Sequence, residues 1–130
     1  LISTTEAWAQ YAVAGPNSRS LLRKIVDPEF DISNEAFEFM ACANITVCGG
    51  LRARLFRISF SGELAFEIAV PSRYGDSLMR KLMNEGEEFG VVPYGTEALG
   101  VMRIEKGHAV APWLTHCRAE PEGGPAGRAR

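Results

Sequence analysis

The 130-residue sequence lacks the motifs and the long apolar runs by which several large classes of protein are recognised. It contains no P-loop, no G-x-G-x-x-G, no G-x-S-x-G and no H-E-x-x-H, so nucleotide, serine-hydrolase and zinc-protease chemistry have no local support. No apolar stretch approaches the roughly 20 residues that are needed to cross a bilayer. The first residues form no signal peptide, so neither secretion nor membrane insertion is expected.

Cysteine and histidine are both scarce. The three cysteines, Cys42, Cys48 and Cys117, are odd in number and widely spaced, which argues against a disulfide framework. A reducing, cytoplasmic location is therefore predicted. The two histidines, His108 and His116, offer no closed set of metal ligands, so no metal site is expected.

An excess of charge of one sign is also lacking. The sequence has 14 basic and 16 acidic residues, and a net charge of −2 provides no general attraction to nucleic acids. Its apolar content of 46% is ordinary for a globular protein, and its length fits one domain. The sequence begins at Leu1 rather than at a methionine, and we expect it to be a piece of a longer protein.

The order of the elements favours an α+β domain with flanking helices on an antiparallel or mixed sheet. The apolar patterns predict strands over residues 7–14, 51–60, 64–70 and 91–92, and one further strand that ends at Val47. Helical patterns predict a helix that is capped by Asn17 and ends at Asp27-Pro28, and a short helical turn through Phe39 with Ser33 as its N-cap. They also predict a helix over 73–85 capped by Ser72, and a last helix that is capped by Thr96 and runs through Lys106.

Residues 61–63 are expected to form a short hairpin connection within this sheet. The domain should extend over residues 1–110. Residues 111–130 are rich in glycine, proline and arginine, and we expect a disordered or non-native tail there.

Glu67 is the most informative polar residue. It lies in mid-strand on the face opposite Phe66 and Ile68, and its neighbours on its own face are Ala65 and Ala69. Small neighbours leave room beside the carboxylate, which can accept hydrogen bonds from two adjacent N–H donors of a ligand. The same pattern is typical of the solvated face of an edge hairpin, and both interpretations remain open.

Arg103 is predicted to lie in the last helix between Met102 and Ile104. Its guanidinium could extend from the helix edge into solvent, pair with Glu105 or Glu67, or form a fixed anion site.

Three motifs resemble the glycine-cleavage T-protein, or aminomethyltransferase, family. Residues 57–68, RISFSGELAFEI, resemble its S/T-G-E-x-x-F/V-E-I. Residues 93–98, PYGTEA, and 102–107, MRIEKG, resemble its P-x-G-x-x-A and L-R-x-E-x-G. Residues 11–16, YAVAGP, resemble its strand and turn L-A-L-Q-G-P. The motifs follow the order and spacing of the family.

Longer matches at residues 31–37, 56–67 and 103–107 are similar to the α subunits of heterotetrameric sarcosine oxidases. The resemblance covers residues 3–110 and implies a folate-binding portion of such an oxidoreductase. Sarcosine would be oxidised at a flavin on another subunit, and tetrahydrofolate in this domain would receive the one-carbon unit as methylenetetrahydrofolate. It also implies partner subunits, with FAD, FMN and NAD elsewhere in the complex.

The resemblance further implies roles for three residues. Glu67 matches the glutamate that hydrogen-bonds the pterin of tetrahydrofolate, and Arg103 matches an arginine near the folate. Phe60 stands where aminomethyltransferases often carry a tyrosine. The catalytic aspartate of the family lies upstream of the YAVAGP strand, so no catalytic residue is assigned. The isolated fragment is expected to be inactive, because this aspartate and the flavins lie elsewhere in the complex, and the family's downstream barrel-like domain is also expected to be missing.

Two alternatives remain open. The chain could be a fragment of a glycine-cleavage aminomethyltransferase or of a dimethylglycine dehydrogenase; a Rossmann domain far upstream in the gene would favour the oxidase instead. It could also be a subunit-docking module that keeps the fold without binding folate, which a Glu67–Arg103 pair would favour.

Overall fold

A four-stranded antiparallel sheet forms the centre of the molecule in the computed structural model, which describes residues 2–107. The strands are β1 (Trp8–Ala14), β2 (Cys42–Val47), β3 (Leu51–Phe56) and β4 (Ala65–Pro71). Their spatial order is β1-β4-β3-β2, so the last three strands form a meander and β1 pairs with β4. The predicted α+β class is confirmed, and the sheet is antiparallel rather than mixed.

Three α-helices accompany this sheet within residues 2–107. They are α1 (Ser18–Leu22), α2 (Gly75–Gly86) and α3 (Thr96–Glu105). α1 contacts β4 and α2 contacts β1, and the two helices touch one another, so they cover one face of the sheet together. No residue of α3 is buried. Within residues 2–107, no helix is long and apolar enough to cross a membrane.

The covered face of the sheet supplies the core. Phe66, Ile68 and Val70 alternate along β4 and are fully buried. Leu78 and Leu82, one turn apart on α2, pack into the same apolar cluster. Burial of such side chains contributes roughly 1.5–3 kcal/mol each and is the main force that holds the helices on the sheet.

The predicted strand over residues 51–60 is too long. The pairing of β3 with β4 ends at Phe56 opposite Glu67. The next residue, Arg57, donates to the carbonyl of Phe37 (2.7 Å) and to Oδ1 of Asn34 (2.6 Å). These bonds tie Arg57 to the segment before β2, so residues 57–64 form an open connection instead of the predicted short hairpin.

The first predicted helix is also shorter than expected, because it ends at Leu22. Val26 lies beyond it and forms a bridge with Val47 at the end of β2, which requires extended backbone. The short helical turn predicted after Ser33 is confirmed, since the Phe37 N–H donates to the Ser33 carbonyl (3.0 Å). The hydroxyl of Ser33 accepts a hydrogen bond from the Ala36 N–H (3.2 Å), as in a helix N-cap.

Two further boundaries differ at α2. Ser72 lies in a 3-10 turn and forms no cap, so the helix begins at Gly75. Val91 belongs to no strand; its N–H donates to the Gly86 carbonyl (3.1 Å) and closes the end of the helix. Gly90 has a φ of 68°, the left-handed conformation that such helix ends favour.

The last predicted helix is confirmed over most of its length, since α3 spans Thr96–Glu105. Its N-cap position is Gly95 rather than Thr96, and no side chain caps it. His108, His116, Cys117 and the expected tail over residues 111–130 lie outside the described residues.

Asp27 holds the turn between β2 and β3. Its carboxylate accepts hydrogen bonds from the backbone N–H groups of Gly49 (2.7 Å) and Gly50 (2.8 Å). These glycines have φ values of 81° and 114°, which other residues rarely adopt. Donation by Gly49, and then by the hydroxyl of Thr46, lowers the pKa of the Asp27 carboxyl.

We predict that Asp27→Asn destabilises the fold in a pH-dependent manner. Because the folded pKa is lowered, the stabilisation by Asp27 is complete above the unfolded pKa of about 3.9 and disappears as the pH falls through the folded value. Urea unfolding should therefore show a constant loss of stability in the variant between about pH 5 and 8 that vanishes under strongly acidic conditions. A loss that persists in acid would contradict this role.

Shortening a buried side chain should lower the free energy of unfolding far more than shortening an exposed one. Leu55 is fully buried, and Leu55→Ala should lower the free energy of unfolding by about 2–5 kcal/mol. Ile104 on α3 is 66% exposed, so Ile104→Ala should change it by less than about 0.5 kcal/mol. Denaturant midpoints test both, and similar losses would show that the core is elsewhere.

Candidate functional site

The candidate site lies on the sheet face opposite the core. The antiparallel register sets Ala12 of β1, Glu67 of β4 and Phe56 of β3 side by side on this face. Ala12 is exposed, and the other two side chains are half-buried. Glu67 therefore stands in the middle of a surface that is accessible from one side.

Glu67 has small neighbours and an orienting partner. Ala65 and Ala69 precede and follow it on the same face and are nearly buried. The side-chain amide of Gln10, which lies opposite Ala69 on β1, donates a hydrogen bond to Oε2 of Glu67. A carboxylate has about four acceptor positions, so one such bond orients the group and leaves acceptor capacity for a ligand.

Tyr94 approaches this carboxylate from the segment before α3. Burial of the phenol and then the negative charge of Glu67 raise the pKa of Tyr94. A phenol is protonated at neutral pH, so the Tyr94 hydroxyl can act as a hydrogen-bond donor. Sequence reasoning assigned no role to Gln10 or Tyr94; the pairing register of β1 with β4 could have indicated Gln10, whereas Tyr94 lay inside a matched motif that gave it no chemistry.

The other two predicted site residues lie together. The guanidinium carbon of Arg103 is 5.8 Å from the centre of the Phe60 ring, within the range of a cation–π contact. Phe60 is 43% exposed and Arg103 is half-buried. The contact joins α3 to the 57–64 connection.

A second contact fixes α3 against the same connection. Nζ of Lys106 forms an ion pair with Glu63 (2.6 Å), and the stem of Lys106 lies against Gly62. A Cβ at Gly62 would be 2.5 Å from Cγ of Lys106, and Gly62 has a φ of 80°. Glycine is thus required there both by the backbone conformation and by the close approach of the helix end.

The start of the connection is held by two arginines. Arg57 and Arg19 both donate to Oδ1 of Asn34, at 2.6 Å and 3.4 Å. Arg19 also donates to the carbonyl of Ile32. These bonds fasten the segment before β2 to α1 and to the end of β3, so the connection that carries Phe60 has a fixed origin.

The described residues of this surface include no group of side chains that could bind a metal ion. Among residues 2–107, no three or more histidine, cysteine, aspartate or glutamate side chains are grouped so that they could hold a metal ion. Glu67 and Tyr94 offer a carboxylate and a phenol, and Arg103 and Phe60 offer a guanidinium and an aromatic ring. These chemical groups suit the binding of a planar, nitrogen-rich ligand.

Comparison with known protein families gives one match, to the GCVT N-terminal domain, over residues 1–113. The sarcosine oxidase subunit alpha of Rhizobium meliloti (strain 1021) is 54% identical over 109 residues, 83% of this chain. That of Corynebacterium sp. (strain U-96) is 47% identical over 120 residues, 92% of this chain.

Human mitochondrial sarcosine dehydrogenase is 34% identical over 108 residues, again 83% of this chain. The matched regions make up only 11–12% of these three relatives, so the chain spans a small part of their length.

Gly62→Ala should disturb the junction of the 57–64 connection with α3. The left-handed backbone and the displaced Lys106 stem should together cost about 1–3 kcal/mol of stability. Gly100→Ala is the matched control, because a Cβ there meets open space within α3 and should stabilise the helix by about 0.5–1 kcal/mol. Thermal unfolding measures both, and equal effects would contradict the close packing at Gly62.

Proposed function

The chain belongs to the GCVT N-terminal domain family, and on that premise we propose that it supplies part of a tetrahydrofolate site in a sarcosine oxidase α subunit. The identities to two sarcosine oxidase α subunits, 54% and 47%, exceed the 34% to a sarcosine dehydrogenase and the 29% to a dimethylglycine dehydrogenase. This order favours the oxidase over the dehydrogenases as the source of the domain.

The oriented carboxylate of Glu67 is the observation that carries the proposal. Pterin presents an amino group beside a ring N–H, two parallel donors that a single carboxylate can accept together. Gln10 fixes one oxygen of Glu67 from β1, and the neighbours of Glu67 along its own face of β4, Ala65 and Ala69, are small.

Arg103 and Phe60 would form another wall of the same site. The Phe60 ring offers an apolar surface for a ligand, and the Arg103 guanidinium beside it offers a positive charge. Tyr94, with its proton retained, can donate a hydrogen bond near Glu67.

The proposed role of these residues is binding and orientation. Tetrahydrofolate, when bound, supplies the nitrogen atoms that accept the one-carbon unit from the methyl group of sarcosine. Oxidation of sarcosine would take place at a flavin on another subunit, with FAD, FMN and NAD outside this chain. We assign no catalytic residue to the chain and expect no turnover from it alone. The proposal includes a cytoplasmic heterotetramer, with residues 1–110 as its partial folate-binding domain.

Calorimetric titration of the folded chain with tetrahydrofolate tests the role of Glu67. Glu67→Gln keeps the shape but places an amide donor against the donors of the pterin, and should weaken binding at least about tenfold, as expected for loss of a charge-assisted bond. Glu38→Gln, which changes an exposed carboxylate outside the site, should bind as the wild type does.

Each other outcome has a definite meaning. Equal affinity of the wild type and Glu67→Gln would remove Glu67 from the site. Absence of binding by a chain that circular dichroism shows to be folded would contradict the folate proposal and favour a subunit-docking module.

A further inference from the structure

The sheet face that carries Glu67 also carries two arginines. Arg52 and Arg54 alternate with Phe56 along β3, and Arg54 lies opposite Ala69 as Phe56 lies opposite Glu67. Residues two apart on a strand point to the same face. Glu67, Arg54 and Arg52 therefore occupy three successive rows of one surface, and both arginines are exposed.

Arg54 contacts an aromatic ring that lies on the same face of the sheet, on the strand beyond β4. Its guanidinium carbon is 4.0 Å from the centre of the Trp8 ring on β1. β4 runs between these two strands, and the contact crosses it diagonally, because Trp8 lies opposite Pro71 and Arg54 lies opposite Ala69. A stacked guanidinium keeps its in-plane N–H groups available, so it can still donate a bidentate pair to a carboxylate.

From these positions we propose that Arg52 and Arg54 bind the carboxylates of the glutamate tail of the folate whose pterin contacts Glu67. The inference rests on the proposed function and adds a second subsite to it. Each two-residue step along a strand advances about 6.6 Å, so Arg52 lies two steps, roughly 13 Å, from the row of Glu67. In a folate, a benzoyl ring separates the pterin from the carboxylates, which matches this order of groups along the sheet.

The surroundings of the arginines suit an acidic ligand. A concavity of about 610 Å³ opens beside them, and its polar lining comes from Asn44, Thr46, Arg52, Arg54 and Glu29. Asn44 lies opposite Arg54 on β2, and its side-chain amide supplies a neutral hydrogen-bond donor. Glu29 is the acidic member of this lining and would oppose a carboxylate, so its removal should strengthen binding of the tail.

Comparing two ligands tests the tail site separately from the pterin site. The folded chain is titrated with tetrahydrofolate and with 6-methyltetrahydropterin, which has the same ring but no benzoylglutamate tail. The wild type should bind tetrahydrofolate more tightly. Arg54→Gln and Arg52→Gln should each reduce that preference about two- to fivefold, the range of an exposed ion pair, and leave the affinity for the tail-less pterin unchanged.

Three variants serve as controls. Glu29→Gln should increase the preference for tetrahydrofolate, because it removes a like charge. Arg80→Gln, which changes an exposed arginine paired with Asp76 on α2, should leave it unchanged. Glu67→Gln should weaken both ligands by the same factor, because both carry the pterin.

Equal affinity of the wild type for the two ligands would overturn the tail site and leave the pterin site standing. The same conclusion follows if Arg54→Gln weakens both ligands equally. If the folded wild type binds neither ligand, the proposed function and the tail site both fail.

Discussion

β4 lies between β1 and β3, and its side chains alternate between the face of the sheet that α1 and α2 cover and the opposite face. Phe66, Ile68 and Val70 are fully buried under α1 and α2, whereas Glu67 stands between two alanines on the other face. A slip of one residue would place the carboxylate in the core and the apolar side chains in solvent. Burial of an unpaired charge costs many kcal/mol, so the packing of the core determines where Glu67 points.

This alternation explains why the orientation of Glu67 could be predicted from the sequence. The period of two along β4 and the apolar stripe with Leu78 and Leu82 on α2 are local patterns, and local patterns give faces reliably. The end of β3 at Phe56 was not predictable, because it depends on hydrogen bonds from Arg57 to the segment before β2.

The contacts within the candidate site could not be predicted either, because they also join residues that are distant in sequence. Gln10 and Glu67 are 57 residues apart in sequence and meet only through the pairing of β1 with β4. The contact of Arg103 with Phe60 depends on how α3 docks on an irregular connection. A period in the sequence places a side chain on a face, but it does not specify which distant strand or helix supplies the neighbour.

The pairing of β1 with β4 also has a consequence for how the chain acquires its structure. β2, β3 and β4 follow one another and can pair as soon as each is synthesised, whereas β1 is made first and must wait for β4. Closing so long a loop is entropically costly and slows folding. On the ribosome, β1 therefore remains an unpaired strand during synthesis of the intervening residues, and its exposed edges can associate wrongly in that interval.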